Sequence, residues 1–196
     1  MIPALSMAPA TFSLPYRADR NYVHSADIFQ AFTELARERF APGAYLKSLV
    51  LRHKASRQLR ASFAAEPDPI GTFSLQAGEQ EVRGALVETD ASIGRRVPYD
   101  ESRAVAAVVA AVDSAAFISP VPGYTAFEHL LVAMKVAGGD ADREAWLCQV
   151  ALLGPLLESV PLAVTVTRRL RLFHRFAIAQ GGTDIGSACA TWRFPQ

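Results

Sequence analysis

The sequence predicts an α+β fold in which a helix is followed by antiparallel strands, and this order occurs twice. Three observations predict it. Helical spacing of apolar residues appears at 25–40 and again at about 124–136. A hairpin signal, Ala77-Gly78-Glu79, sits between two strand-like runs in the first half. In the last quarter Leu162, Val164, Val166, Leu170, Leu172, Phe176 and Ile178 all fall on even positions, with Thr165, Thr167, Arg169, Arg171 and Arg175 on the other face. A period of two is the signature of a half-buried antiparallel sheet.

Residues 1–20 carry Pro3, Pro9 and Pro15 and are expected to form an extended arm. They lack a basic start and a sustained apolar core, so no signal peptide is expected. The first helix is expected over Ser25–Phe40, with Ser25 as its cap and Asp27 in the first turn. Ile28, Phe32, Leu35 and Ala36 make its apolar face, and Pro42-Gly43 stops it. Strands are expected over 46–54, 59–64, 72–76 and 82–89, and a loop over 95–99. Residues 102–112 mix alanine with valine, so helix and strand propensities conflict; a helix is expected. Pro120-Val121-Pro122-Gly123 is a break. The second helix carries Phe127, Leu130, Leu131 and Met134 on one face and ends at Gly138-Gly139. Residues 144–157 are expected to be helical, broken near Gly154-Pro155, and Asp184 to Phe194 is the closing strand.

Composition bounds the function. The chain has 196 residues, 51% apolar and 20% charged, which excludes global disorder. Twenty basic against 19 acidic residues give a formal charge of +1, with no electrostatic footprint for nucleic acid or an anionic membrane. The apolar tract 146–166 contains Gly154, Pro155, Glu158 and Pro161, so no membrane span is expected. Cys148 and Cys189 have neither metal-ligand spacing nor a disulfide framework, which suits a cytoplasmic protein. There is no GxSxG elbow, P-loop, HExxH motif or zinc spacing, and Gly181-Gly182 lacks the setting of a dinucleotide fingerprint. No metal or other cofactor is expected.

Aligning Ser25 with Gly123 also aligns Phe29 with Phe127, Gln30 with Glu128 and Phe32 with Leu130. A faint internal repeat follows, with an extra apolar segment at 146–157 in the second copy. The segment Pro122-Gly123-Tyr124-Thr125-Ala126-Phe127-Glu128 resembles the PGxxxxE opening of the central helix of 3-hydroxyacyl-ACP dehydratases. Val160–Ala179, with its run of arginines, resembles that family's strand pair, and Gln180–Ala190 its closing turn and strand. The resemblance covers about 119–192 apart from 146–157; the first half matches in layout alone. It implies a hotdog fold and, with the repeat, a double hotdog: an arm at 1–20, one unit at 21–112 and a second at 113–196.

In the family a histidine removes the α proton of a 3-hydroxyacyl thioester, and an acid on the central helix helps the hydroxyl leave as water. Glu128 stands at the acid's position. The family's histidine precedes the PG pair, near Ser114 here, and no histidine lies between Ala55 and Glu128. Gln30, at the acid's position in the first copy, cannot transfer a proton. The resemblance therefore implies one composite site, with His24 as base and Glu128 as acid. Phe29, Phe32, Tyr124, Phe127 and Leu131 would hold the acyl chain and thioester, with acyl carrier protein or CoA as the carrier. A pseudo-dimeric monomer or a homodimer would be compatible with it.

Each residue also has a plainer reading. His24 suits a solvated helix start and Glu128 a charge placed for the helix dipole. His129 is a second proton-transfer candidate, His174 falls on the apolar strand face, and His53 lies in a strand run. Tyr22 and Tyr124 could donate to a thioester carbonyl. The arginines at 168, 169, 171 and 175 could meet a carrier phosphate or simply be solvated. Thioester hydrolysis, acyl transfer, a non-catalytic acyl-binding or partner subunit, and an unrelated α+β fold all remain open at this point.

Overall fold

The computed structural model describes residues 7–111, 114–139, 144–171 and 173–193. The chain divides into two compact units, Met1–Tyr99 and Asp100–Gln196. The division precedes the 112/113 boundary expected from sequence, because Asp100, Glu101 and the helix Ser102–Ala106 group with the second unit. Tyr124 Oη donates to the Asp100 carbonyl at 2.6 Å, and the Lys135 ammonium pairs with the Glu101 carboxylate.

The first unit contains β1 (Ala10–Phe12), β2 (Tyr16–Arg17), α1 (Ser25–Arg39), β3 (Tyr45–Leu51), β4 (Leu59–Ser62), β5 (Gly71–Ala77), β6 (Gln80–Glu88) and β7 (Arg96–Val97). Five strands form an antiparallel sheet in the order β1-β4-β6-β5-β3. Where it is described, the 1–20 stretch lies on the fold: β1 joins the sheet, and Phe12 and Leu14 are buried. Pro3 lies outside the described residues. The expected loop at 95–99 contains β7, paired in parallel with β2. The Gly78 hairpin forms as expected, with a positive φ of 58° that suits glycine.

Helix α1 packs on β3 and β5. Ile28, Phe29, Phe32, Leu35 and Ala36 are buried, as their spacing predicts. Phe32 is fully buried, with its ring 5.1 Å from Phe12 and 4.3 Å from Phe73.

The second unit contains α2 (Ser102–Ala106), β8 (Val108–Ala111), β9 (Ala115–Ile118), α3 (Ala126–Gly138), β10 (Glu144–Leu152), β11 (Leu162–Leu170), β12 (Phe173–Gln180) and β13 (Thr183–Arg193). Its strands run β10-β13-β12-β11-β9-β8, all antiparallel. The mixed propensities of 102–112 resolve by division: Ser102–Ala106 is helix and Val108–Ala111 is strand.

The expected helix at 144–157 is instead β10 and the loop after it. A register break between Leu147 and Gln149 explains the misreading. It spaces the buried Leu147 and Val150 three apart, which imitates a helical face. A second break, between Val166 and Arg168, ends the even-numbered apolar pattern, so Leu170 is 47% exposed. Leu172 and Phe194 lie outside the described residues.

Helix α3 packs on β8, β9, β11 and α2. Its buried residues run round most of its circumference and include Glu128, His129 and Lys135 beside the apolar ones. Gly138 is its last residue and Gly139, with φ 78°, is the left-handed cap. A Cβ on Gly138 would lie 2.6 Å from the Trp192 ring, so glycine is what lets the helix approach β13.

In each unit one long helix is followed by four strands: β3 to β6 after α1, and β10 to β13 after α3. The apolar segment at 146–157 forms most of β10 and the start of the loop after it. The sheets are not identical, because β3 neighbours β5 whereas β10 neighbours the last strand, β13.

Candidate functional site

The functional candidates gather at the starts of the two long helices. In α3 the cap is Thr125, and the sequence Thr125-Ala126-Phe127-Glu128 closes a reciprocal capping box. Thr125 Oγ1 accepts the Glu128 N–H at 3.2 Å, and Glu128 Oε2 accepts the Thr125 N–H at 2.7 Å and its hydroxyl at 2.9 Å. The S/T-x-x-E pattern was legible in the sequence, yet it shows only one use of Glu128. Glu128 is 6% exposed, and glutamate is seldom so buried unless its charge is paired or hydrogen-bonded.

Two more groups meet this helix start. Glu158, from the loop after β10, accepts the Ala126 N–H through Oε2 at 2.6 Å. Nothing in sequence spacing brings residue 158 to residue 126; the fold of β10 does. His129 is 3% exposed, and its Nε2 accepts the Val121 N–H at 3.0 Å. Neutral imidazole with Nε2 accepting carries its proton on Nδ1. Burial holds the His129 pKa below its usual 6.5, against the raising influence of Glu158 and Glu128 and of the bond to Val121.

In α1 the cap is His24 rather than Ser25, which is the first helical residue. His24 is 9% exposed, and its Nδ1 accepts the Ala26 N–H at a long 3.4 Å. Its ring lies 5.2 Å from that of Tyr99. Asp27 stands at the third helical position, the position Glu128 holds in α3. Cap for cap, Asp27 is therefore the counterpart of Glu128, and the sequence alignment that matched Gln30 is three residues out. Arg17 grips Asp27 through two hydrogen bonds of 2.7 Å. The Arg17 guanidinium also lies 4.6 Å from the centre of the Tyr99 ring, and that of Arg20 lies 5.2 Å away.

The remaining candidates divide between the units. Phe29 is buried on α1, and Phe127 is buried on α3 with Leu131 half-buried beside it. Phe32 is filled in by Phe12 and Phe73, so it belongs to the first unit's core. The Tyr124 hydroxyl donates to the Asp100 carbonyl at 2.6 Å. Tyr22 lies under the Lys54 ammonium, 4.0 Å from the ring centre. His53 is exposed just after β3, and His174 is buried with its ring 4.4 Å from Trp192. Gln30 donates to Glu34 at 2.8 Å on the helix surface. Among the described residues no group of three or more His, Cys, Asp or Glu is placed to hold a metal ion, and no helix is long and apolar enough to cross a membrane.

In the second unit a long helix, buried on most sides, is laid against an antiparallel sheet. The chain has a hotdog-like α+β fold. No family model matches it, and no curated protein matches it. Among solved structures, this hotdog-like chain is similar to the dehydratase domain of MlnD from Bacillus amyloliquefaciens, at 12% identity and a TM-score of 0.43, covering 91% of this chain and 87% of that one. It is similar to an acyl-ACP thioesterase from Bacteroides thetaiotaomicron, at 7% identity and a TM-score of 0.45, covering 94% and 96%. A conserved protein of unknown function with a hot dog fold from Alicyclobacillus acidocaldarius gives 10% identity and a TM-score of 0.47, covering 96% and 93%.

Proposed function

We propose that the chain is a double hotdog that processes an acyl thioester, and that its reaction is dehydration of a 3-hydroxyacyl group carried by acyl carrier protein or CoA. One observation carries the reading. Glu128 is buried at the third position of α3, five residues after Gly123, where the resemblance to 3-hydroxyacyl-ACP dehydratases puts the acid. The repeated order of one long helix and four strands supports the double hotdog.

In this reading His24 takes the α proton and Glu128 gives a proton to the departing hydroxyl. Proton transfer of this kind is typically worth about 10²–10⁴ in rate. The base must present a lone pair. His24 presents one on Nδ1 by giving up the long 3.4 Å bond from the Ala26 N–H. Phe29, Phe127 and Leu131 supply apolar surface for the acyl chain. Phe32 packs with Phe12 and Phe73 beneath the same helix, and Tyr124 ties the loop before α3 to Asp100.

In this reading the arginines meet the carrier's charge. Arg168 and Arg175 are directly opposed on β11 and β12, both exposed. Like charges in that position repel, and a phosphate between them would relieve the repulsion.

A second reading is favoured by the capping box: Glu128 already has a structural task, as it would in a non-catalytic acyl-binding or partner subunit. Intact-mass analysis of a panel of acyl-carrier-protein and CoA thioesters separates the readings. Loss of one water from a 3-hydroxyacyl thioester, absent with Glu128→Gln, is the expected result. Release of free acid would instead indicate a hotdog thioesterase. An unchanged panel with a folded protein would favour the binding or partner role.

A further inference from the structure

The register break in β10 has a chemical content of its own. Leu147 opposes Ala190 and Gln149 opposes Cys189, so Cys148 is the extra residue. In such a bulge two residues of one strand face one residue of the partner, which puts Cys148 beside Gln149 and across from Cys189. The side chain's direction is fixed by a contact: Cys148 Sγ lies 3.8 Å from Thr191 Oγ1. Thr191 and Cys189 are two apart on β13 and so share a face of the sheet. Cys148 therefore projects onto the face that carries Cys189.

Cys148 has no ladder partner of its own, so its nearness to Cys189 follows from the shared face, the Thr191 contact and the electrostatic influence of Cys189 on its thiol. Both cysteines are free thiols, Cys148 half-buried and Cys189 buried. Burial pushes the Cys148 thiol up, its hydrogen bonds to Thr191 oppose this, and the proximity of Cys189 raises it further.

We propose that Cys148 and Cys189 form a redox-sensitive dithiol whose intrachain disulfide staples β10 to β13. The oxidant class is a small disulfide such as oxidised glutathione. Cys148, the more accessible thiol, loses its proton and attacks one glutathione sulfur, breaking that S–S bond and releasing glutathione thiolate, which takes up a proton. Cys189 then loses its proton and attacks the Cys148 sulfur, expelling the second glutathione. Two protein thiols and one glutathione disulfide become one protein disulfide and two glutathiones. The staple would fix the strand that runs directly into the loop delivering Glu158 to α3.

The test is mass analysis of the full chain, folded and at equilibrium with oxidised glutathione, followed by digestion without reductant. The expected result is loss of the mass of two hydrogens, a fall from two titratable thiols to none, and one peptide joining Cys148 to Cys189. Cys189→Ser should stop at a single glutathione on Cys148. Retention of both thiols, a stable glutathione adduct on Cys148 with Cys189 still reduced, or a link between two chains would overturn the proposal.

Discussion

Thr125 and Glu128 each satisfy the other's backbone N–H, Thr125 through its hydroxyl and Glu128 through Oε2. The pair therefore tells cap chemistry from catalysis. Glutamine at 128 keeps an acceptor oxygen but has no proton to give. Glu128→Gln should change stability by less than about 1 kcal/mol while costing activity about 100-fold or more. Thr125→Ala should do the reverse, costing about 1 kcal/mol with turnover little changed. Urea unfolding beside turnover on a 3-hydroxyacyl thioester checks both; equal losses of stability and activity in the two variants would refute the separation.

Asp27 and Glu128 share the third position of their helices, but Asp27 is held by Arg17. The side chains of that ion pair are only 12% and 15% exposed, so removing one partner strands the other. Asp27→Asn should lower stability by about 1–3 kcal/mol and leave turnover within a few-fold. A loss of turnover well beyond the loss of folded protein would make Asp27 part of the chemistry.

His129 gives a pH dependence. Its folded pKa lies below the usual 6.5, so the unfolded chain binds the proton more readily. The stability it contributes is present above about pH 6.5 and is lost as pH falls from there through the lowered folded value. Protonation would also remove the acceptor of the Val121 N–H. The thermal midpoint should fall between neutral pH and pH 5.5, and His129→Gln should flatten that part of the curve, as shown by thermal scans across pH.

Gly138 sits against Trp192. Gly138→Ala would drive its methyl group to 2.6 Å from the indole. The change should destabilise by about 1–3 kcal/mol, as overpacking does, although alanine is the better helix former. A stability gain would mean that the ring moves aside at little cost.

Arg168 and Arg175 oppose each other across β11 and β12. Arg175→Gln should raise stability by a few tenths of a kcal/mol as the repulsion goes. It should also raise KM for a carrier-linked substrate and weaken the dependence of KM on salt. KM at low and high salt tests this, and an unchanged salt dependence would remove these arginines from carrier binding.

The strongest periodic signals were legible from residues alone. Ile28, Phe32, Leu35 and Ala36 define α1, Gly78 marks its hairpin, and the even positions of 162–166 and 176–178 define β11 and β12. Errors arose where a local irregularity changes the period. The bulge at Cys148 made a strand resemble a helix, and the break after Val166 turned Leu170 outward. Residues 102–112 held two elements whose propensities cancelled.

The site was legible less evenly. Glu128 and its Thr125 cap lie within one turn of helix, so spacing reveals them. Glu158 reaches α3 through tertiary folding, and Arg17 reaches Asp27 from β2; no local pattern encodes either contact. That Asp27 and Glu128 hold the same place after their caps is visible only once the caps are located, because His24 is not an ordinary capping residue.

The central claim is that His24 and Glu128 dehydrate a 3-hydroxyacyl thioester. The most direct measurement is the rate of water loss from such a thioester with wild type, His24→Asn and Glu128→Gln, each first checked to be folded. Asparagine preserves a capping oxygen at the start of α1 while removing the base. The account predicts dehydration by the wild type and losses of about 100-fold or more in each variant. Wild-type dehydration that survives either substitution, or no dehydration by the folded wild type, would contradict it.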